Sequence, residues 1–297
     1  MINVGILDAD SLYFRICWKT KKQNEIRKYI DRGIREIEGA CLMPDVMKIA
    51  VKGRDNFRHD IYNKYKANRP ELEPDMKKAL NYAHQYLMDK HGAVQADGME
   101  ADDLVCIWAH EARELGYAYT ICGIDKDLLQ IPGIHYNFVK KEYQDVDDDT
   151  AYYKLMLQCL TGDGCDGIPG IRGIGPKKAE KILAGIPKER MWNKVKAAWA
   201  EHEAGDPKLS RRLLEMIKTW DEYEDIRAQI SGEPDHSESD EQPLQRESSE
   251  QEQGVRSISE RNKRRTDGDG VAVQEEPGTG SSSLRSEQPS EGSGQPE

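Results

Sequence analysis

The sequence predicts an α/β fold built on a parallel sheet, followed by a helical region and an acidic tail. Three observations predict it. Short apolar runs without strict alternation recur through the first half of the chain, as strands buried on both faces require. Amphipathic helical stretches separate these runs, the pattern of βαβ units. Three of these runs lead into acidic residues, at the strand ends where open parallel sheets place their ligands.

Residues 2–7 form the first run and lead into Asp8-Ala9-Asp10-Ser11; a helix begins over 12–17. Residues 24–42 carry Ile26, Ile30, Ile34 and Ile37 at helical spacing with charges between them. Residues 46–51 are the second strand. The segment 53–70 is basic, with Arg54, Arg58, Lys64, Lys66 and Arg69, and has Phe57, Tyr62 and Tyr65 interleaved. After Pro70 and Pro74 an amphipathic helix spans 75–91. A short strand at 93–96 precedes Gly98-Met99-Glu100-Ala101-Asp102-Asp103 and an apolar helix over 104–115. Residues 117–124 are the clearest strand and end at Asp125-Lys126-Asp127. A further strand spans 134–139. Asp145–Asp148 reads as a solvated turn, with Asp149 and Thr150 capping a helix over 151–160. Residues 179–230 read as wholly helical, with 191–199 and 209–220 the clearest pieces. Trp192, Trp199 and Trp220 fall on their core patterns.

The chain has 297 residues and a net charge of −11. The tail 231–297 holds 16 acidic and 7 basic residues, so nearly all of that charge belongs to it. Its Ser, Glu, Gln, Gly and Pro composition cannot bury enough apolar surface to order it, so disorder is expected. Arg261-Asn262-Lys263-Arg264-Arg265 is a basic island within it. The near-neutral body is compatible with nucleic acid where its cations cluster. Six cysteines show no Cys-x-x-Cys spacing, which argues against zinc and for reduced, buried thiols. No segment is long and apolar enough for a membrane span, and no signal peptide is legible. An intracellular monomer without membrane contact is expected.

The stretch 162–179 carries six glycines, Asp163, Asp166 and the pair Lys177-Lys178. Pro176 suits a first helical turn. The free N–H groups there, with the two lysines, make a seat for backbone phosphate. Asp163 and Asp166 join Asp8, Glu100, Asp102, Asp103, Asp125 and Asp127 as acids at expected strand ends. Parallel strands bring such acids together, where like charges repel unless cations neutralise them. Hard oxygen donors select Mg²⁺ or Mn²⁺. Taken singly, each acid reads equally well as an N-cap; four clusters at one sheet edge do not.

These motifs resemble the 5′→3′ exonuclease/flap endonuclease family, which includes bacterial DNA polymerase I exonuclease domains and phage 5′ exonucleases. The resemblance rests on Glu100-Ala101-Asp102-Asp103, Asp125-Lys126-Asp127, the 162–179 loop and Tyr65-Lys66-Ala67-Asn68-Arg69. It implies a PIN-like nuclease domain over 1–160 with an arch segment near 53–75. A helix–three-turn–helix and helical region over 161–230 would hold DNA. It further implies the eight acids as ligands of two Mg²⁺ or Mn²⁺ ions, with a monovalent cation at the 170–176 loop as a further candidate. Lys66 and Arg69 would contact the scissile phosphate. Tyr65, Gly173, Gly175, Lys177 and Lys178 would bind a DNA duplex with a 5′ end, overhang or flap. No polymerase segment follows, so a free-standing nuclease is expected.

One departure stands out. Counting back from Phe57, the position where the family carries a strand-two aspartate falls at Gly53, and Asp55 is the only nearby acid to replace it. The alternative is therefore a weakly active or non-catalytic module that binds branched DNA. RNA in RNA–DNA hybrids is a further substrate class, because backbone contacts do not distinguish it from DNA.

Overall fold

The computed structural model describes residues 1–231. The expected disordered tail over 231–297, with its basic island, lies outside the described residues apart from Ser231. One sheet runs through the first two-thirds of the described chain, with strand order β3-β2-β1-β4-β5-β6. Its strands are β1 (Asn3–Asp8), β2 (Val46–Lys52), β3 (Val94–Ala96), β4 (Ala118–Cys122), β5 (Gly133–Asn137) and β6 (Glu142–Val146). The first five are mutually parallel and β6 is antiparallel. The two central strands, β1 and β4, lie side by side, so their carboxyl ends open at one place.

Helices cover both faces, which explains why β1 is apolar almost throughout. On one face α1 (Asp10–Lys19), α2 (Gln23–Ala40) and α4 (Pro74–His91) pack on Leu7, Ile49 and Val51. All four isoleucines of α2 are buried there, as their spacing predicts. On the other face α5 (Ala101–Glu114) packs on Val4, Ile6 and Ile121. The last helix, α10 (Trp220–Ser231), joins this face through Ile226. A third core holds α6 (Asp148–Thr161), α7 (Pro176–Leu183), α8 (Lys188–Glu201) and α9 (Pro207–Leu214) around Trp199. The Trp199 indole N–H donates to the Cys159 carbonyl at 2.8 Å. The basic segment carries the short helix α3 (Phe57–Ile61) and then turns through 63–68.

Four local expectations are corrected. The stretch 209–220, expected as one helical piece, is non-helical over 215–219, between α9 and α10. Residues 145 and 146, expected in a turn, belong to β6. This edge strand buries only Val146, so its exposed polar residues carry no strand signal. Asp147, not Asp149 or Thr150, caps α6 by accepting the Thr150 N–H at 2.7 Å, because that helix starts three residues before the expected one. Trp220, expected in the core, is 45% exposed and donates to Glu111 at 3.1 Å. The six cysteines are unbridged, and all but Cys165 are buried. No helix among the described residues is long and apolar enough to cross a membrane.

Candidate functional site

The ends of the parallel strands surround a cavity of about 650 Å³. β1 delivers Asp8, which is 6% exposed and accepts from the Asp10 N–H at 3.1 Å and the Ser11 hydroxyl at 3.3 Å. The turn after β4 delivers Asp125 and Asp127. Asp125 accepts the Asp127 N–H at 2.9 Å, and the Gln158 amide of α6 donates to Asp127 at 2.6 Å. Behind β3, Glu100 caps α5 and Asp102 lies in its first turn. All five of these acids line the cavity, together with Asp166, Asp55 and Asp10.

The basic segment supplies the opposite charge. Lys66 pairs with Glu100 and lies 3.6 Å from Asp166, while Arg69 pairs with Asp166. Lys66 has φ +53°, a left-handed backbone that costs a lysine about 1–2 kcal/mol. Its N–H donates to the Asp166 carbonyl at 2.8 Å, and the Asn68 amide donates to the Gly164 carbonyl at 2.8 Å. These bonds fasten the basic turns onto the glycine loop. Gly167, with φ +70°, allows that approach: a Cβ there would sit 2.7 Å from the Lys64 carbonyl oxygen.

Three expected site residues do not face the cavity as open ligands. Asp103 is fully buried, and both of its oxygens are taken. Arg58 forks onto it at 2.5 and 2.8 Å, and the Glu100 and Ile217 N–H groups donate at 3.0 and 3.2 Å. Arg58 also donates to the Leu213 and Glu215 carbonyls, so this pair ties the sheet to the helical region. Tyr65, expected to touch DNA, is 1% exposed; its hydroxyl donates to Glu100 at 2.6 Å. Asp163 stands behind Asp166, where it accepts two N–H groups of its own turn and lies 3.6 Å from Lys126. The 173–178 segment is apart from the cavity lining. There Pro176 opens α7, Gly175 offers no side-chain cap, and exposed Lys178 donates to the Gly173 carbonyl at 2.8 Å. Lys177 and Gly173 are exposed beside it.

Sequence reasoning missed Asp10, Lys126 and Arg58. Asp10 was visible as Asp8-x-Asp10, but that pattern is too common to inform. Arg58 finds its partner 45 residues away, beyond any local signal.

Electrostatics divide the cluster. Burial, then the Asp10 charge, raise the Asp8 carboxyl to about 7. Burial, then Asp125, raise Asp127 to about 6. Burial, then Glu100 and Asp103, hold Asp102 well above the carboxylate range. Glu100 goes the other way: burial opposes its charge, but Arg58 and Lys66 hold it below its usual value. No ion pair forms at Asp8, Asp10, Asp102, Asp125 or Asp127 among the described residues; the pairs nearby all involve other acids. Nearby cations act on some of the five from a distance, Lys52 on Asp10, Lys126 on Asp127 and Arg58 on Asp102, but none neutralises them by pairing. The five line a cavity rather than converge on a point: among the described residues no three acid, His or Cys side chains form a ready nest for an ion. An all-oxygen, under-neutralised set fits a hard divalent cation that draws the side chains in.

A family described as 5′-3′ exonuclease, N-terminal resolvase-like domain matches residues 3–155, just over half of the chain. DNA polymerase I of Rhizobium leguminosarum is 34% identical over 140 residues, covering 43% of this chain and 14% of the relative. The thermostable DNA polymerase I of Thermus aquaticus is 28% identical over 180 residues, covering 56% and 21%. The chain thus spans about a fifth or less of the length of these relatives. The fold is similar to that of T5 5′-exonuclease with bound zinc ions, with a TM-score of 0.56 at 18% identity over 77% of this chain and 98% of that one. It is likewise similar to the bacteriophage T5 flap endonuclease in a complex with DNA and metal ions, with a TM-score of 0.57 at 18% identity over 78% and 94%.

Proposed function

The chain belongs to the 5′-3′ exonuclease family, and on that premise we propose that it is a divalent-cation-dependent 5′ nuclease. It hydrolyses DNA phosphodiesters at duplex 5′ ends, overhangs or flaps and leaves 5′-phosphates. The observation that carries this reading is the cavity where five acids without a cationic partner face Lys66 and Arg69. The solved T5 flap endonuclease complex contains DNA and metal ions, which supports it.

Asp8, Asp102, Asp125 and Asp127 would hold Mg²⁺ or Mn²⁺, with Glu100 and Asp166 joining as their own cations turn to substrate. Bound there, a divalent ion supplies Lewis-acid charge and lowers the pKa of water. Lys66 and Arg69 bind the scissile phosphate, Arg69 as a two-pronged donor and Lys66 as a point charge. To do so they exchange Glu100 and Asp166 for the phosphate, so substrate binding frees two carboxylates at the cavity wall. Tyr65 holds Glu100 in place through that exchange. Asp163 and Asp103 act from behind, by fixing the glycine loop and the start of α5. Away from the cut, Gly173, Gly175, Lys177 and Lys178 hold the duplex backbone without reading sequence.

Incubation with 5′-labelled duplex, flap and RNA–DNA hybrid tests this reading. Mg²⁺-dependent cleavage by the wild type and its loss in Asp125→Asn are expected. Absence of any cleavage with Mg²⁺ or Mn²⁺, or equal cleavage by the variant, sinks it. The Gly53 position favours one rival, a module that binds branched DNA without cutting. Retained flap binding with no cleavage in either metal would select that rival.

A further inference from the structure

Five of the acids lining the cavity come from the ends of three of the four neighbouring parallel strands. Asp8 follows β1, Glu100 and Asp102 follow β3, and Asp125 and Asp127 follow β4. The end of β2, between β1 and β3, contributes Lys52 and Gly53 to the lining, with Arg54 and Asp55 just beyond. Position 53 cannot carry an acid. Lys52 pairs with Ala96, and a Cβ on Gly53 would land on the Ala96 carbonyl oxygen, so any side chain there must push the two strands apart.

Asp10 covers the gap. It lies in the first turn of α1, and its Oδ1 accepts the Lys52 N–H at 2.9 Å. That bond pins the carboxylate over the last residue of β2, beside Gly53 and inside the cavity. The groups facing it are Asp8, the Lys52 backbone and side-chain charge, the Tyr13 hydroxyl and the His84 ring, which itself contacts the Lys52 carbonyl at 3.0 Å. Asp55 also lines the cavity and is exposed, as Asp125 is, but among the described residues no hydrogen bond fixes its carboxylate as the Lys52 N–H fixes Asp10.

We propose that Asp10 supplies from α1 the carboxylate that β2 cannot carry, and so serves as a further cation-holding residue of the site. The proposal rests on the divalent-cation reading of the cavity. It also removes the reason to treat Gly53 as the mark of a crippled site.

The test is a Mn²⁺ titration of the full chain, read by electron paramagnetic resonance, on wild type, Asp8→Asn and Asp10→Asn. Asparagine keeps an oxygen to accept the Lys52 N–H and removes only the charge. The expected result is a loss of one bound ion, or at least tenfold weaker binding, in Asp10→Asn, with metal-free melting unchanged or raised. Wild-type Mn²⁺ binding by Asp10→Asn, with binding weakened in Asp8→Asn, overturns this inference alone. No Mn²⁺ binding by the wild type overturns the cation reading itself. Should Asp10→Asn fail to fold, Asp10→Glu carries the test: a changed Mn²⁺ affinity supports the proposal, and wild-type affinity reduces Asp10 to a clamp on β2.

Discussion

Glu100, Asp103, Asp163 and Asp166 each pair with a cation, whereas Asp8, Asp10, Asp102, Asp125 and Asp127 form no ion pair among the described residues. Both sets are carboxylates at one cavity, yet Glu100 and Asp8 respond oppositely. Glu100 is held below its usual pKa by Arg58 and Lys66 against the cost of burial. Asp8, buried and beside Asp10, is pushed up to about 7. The difference teaches that position at a strand end does not decide what an acid does; the supply of positive charge does. The paired set is satisfied by the fold and holds it together. The unpaired set is left for a proton or an ion from solution.

The sharpest way to break this comparison is to remove a cation from the paired set. Arg58→Ala leaves Asp103 buried without its cation and frees two carbonyls of the helical region. A loss of about 3–5 kcal/mol is expected in urea unfolding. A loss under 1 kcal/mol would erase the distinction between the sets. The unpaired set should show the reverse profile. Asp125→Asn is expected to lower Mg²⁺-dependent cleavage by about a hundredfold or more, in line with the loss of one group that stabilises transition-state charge. Its metal-free stability should match or exceed that of the wild type, since one repelling charge is gone.

Lys66 stands on the boundary, paired to acids but proposed to act on phosphate. Lys66→Ala is expected to slow single-turnover cleavage by about ten- to a hundredfold, the scale of one charge-assisted contact. Weakened binding with an unchanged cleavage step would place Lys66 among the purely structural cations. For the duplex seat, Lys178→Ala should leave single-turnover cleavage intact and reduce the salt slope of DNA binding by about 1.

Titration separates the two sets most gently. The Asp8 carboxyl lies at about 7 in the folded chain against 3.8 ordinarily, so between these values the folded state holds the extra proton. Through this group, stability falls as pH rises from 4 to 7. Glu100 has the opposite sign: its contribution is present above its ordinary pKa and is lost as acid protonates it. In chelator, wild type should therefore lose ground to Asp8→Asn as pH rises towards 7. A difference between the two that does not change with pH would contradict the assignment.

Much of this was legible in the sequence. The isoleucines of α2, the apolar runs of β1 and β4 and the acids at their ends mark elements by local pattern alone. The edge strand β6 was not legible, because four of its five residues face solvent and carry no apolar alternation. The acids themselves were visible, but their division into paired and unpaired was not. Arg58 meets Asp103, and Lys66 meets Glu100, only through the fold. Asp10 was hidden for a related reason: its meaning comes from the Lys52 N–H and from the space denied to Gly53, neither of which leaves a trace in sequence spacing.

The central claim is that the unpaired acids are a seat for divalent cations, and melting with Mn²⁺ at neutral pH tests it most directly. Wild type should melt at a temperature that rises saturably with Mn²⁺, because an ion bound only by the folded state stabilises it. Asp125→Asn should lose most of that rise while melting no lower than wild type in chelator. No rise in the wild type, or an undiminished rise in the variant, would contradict the account.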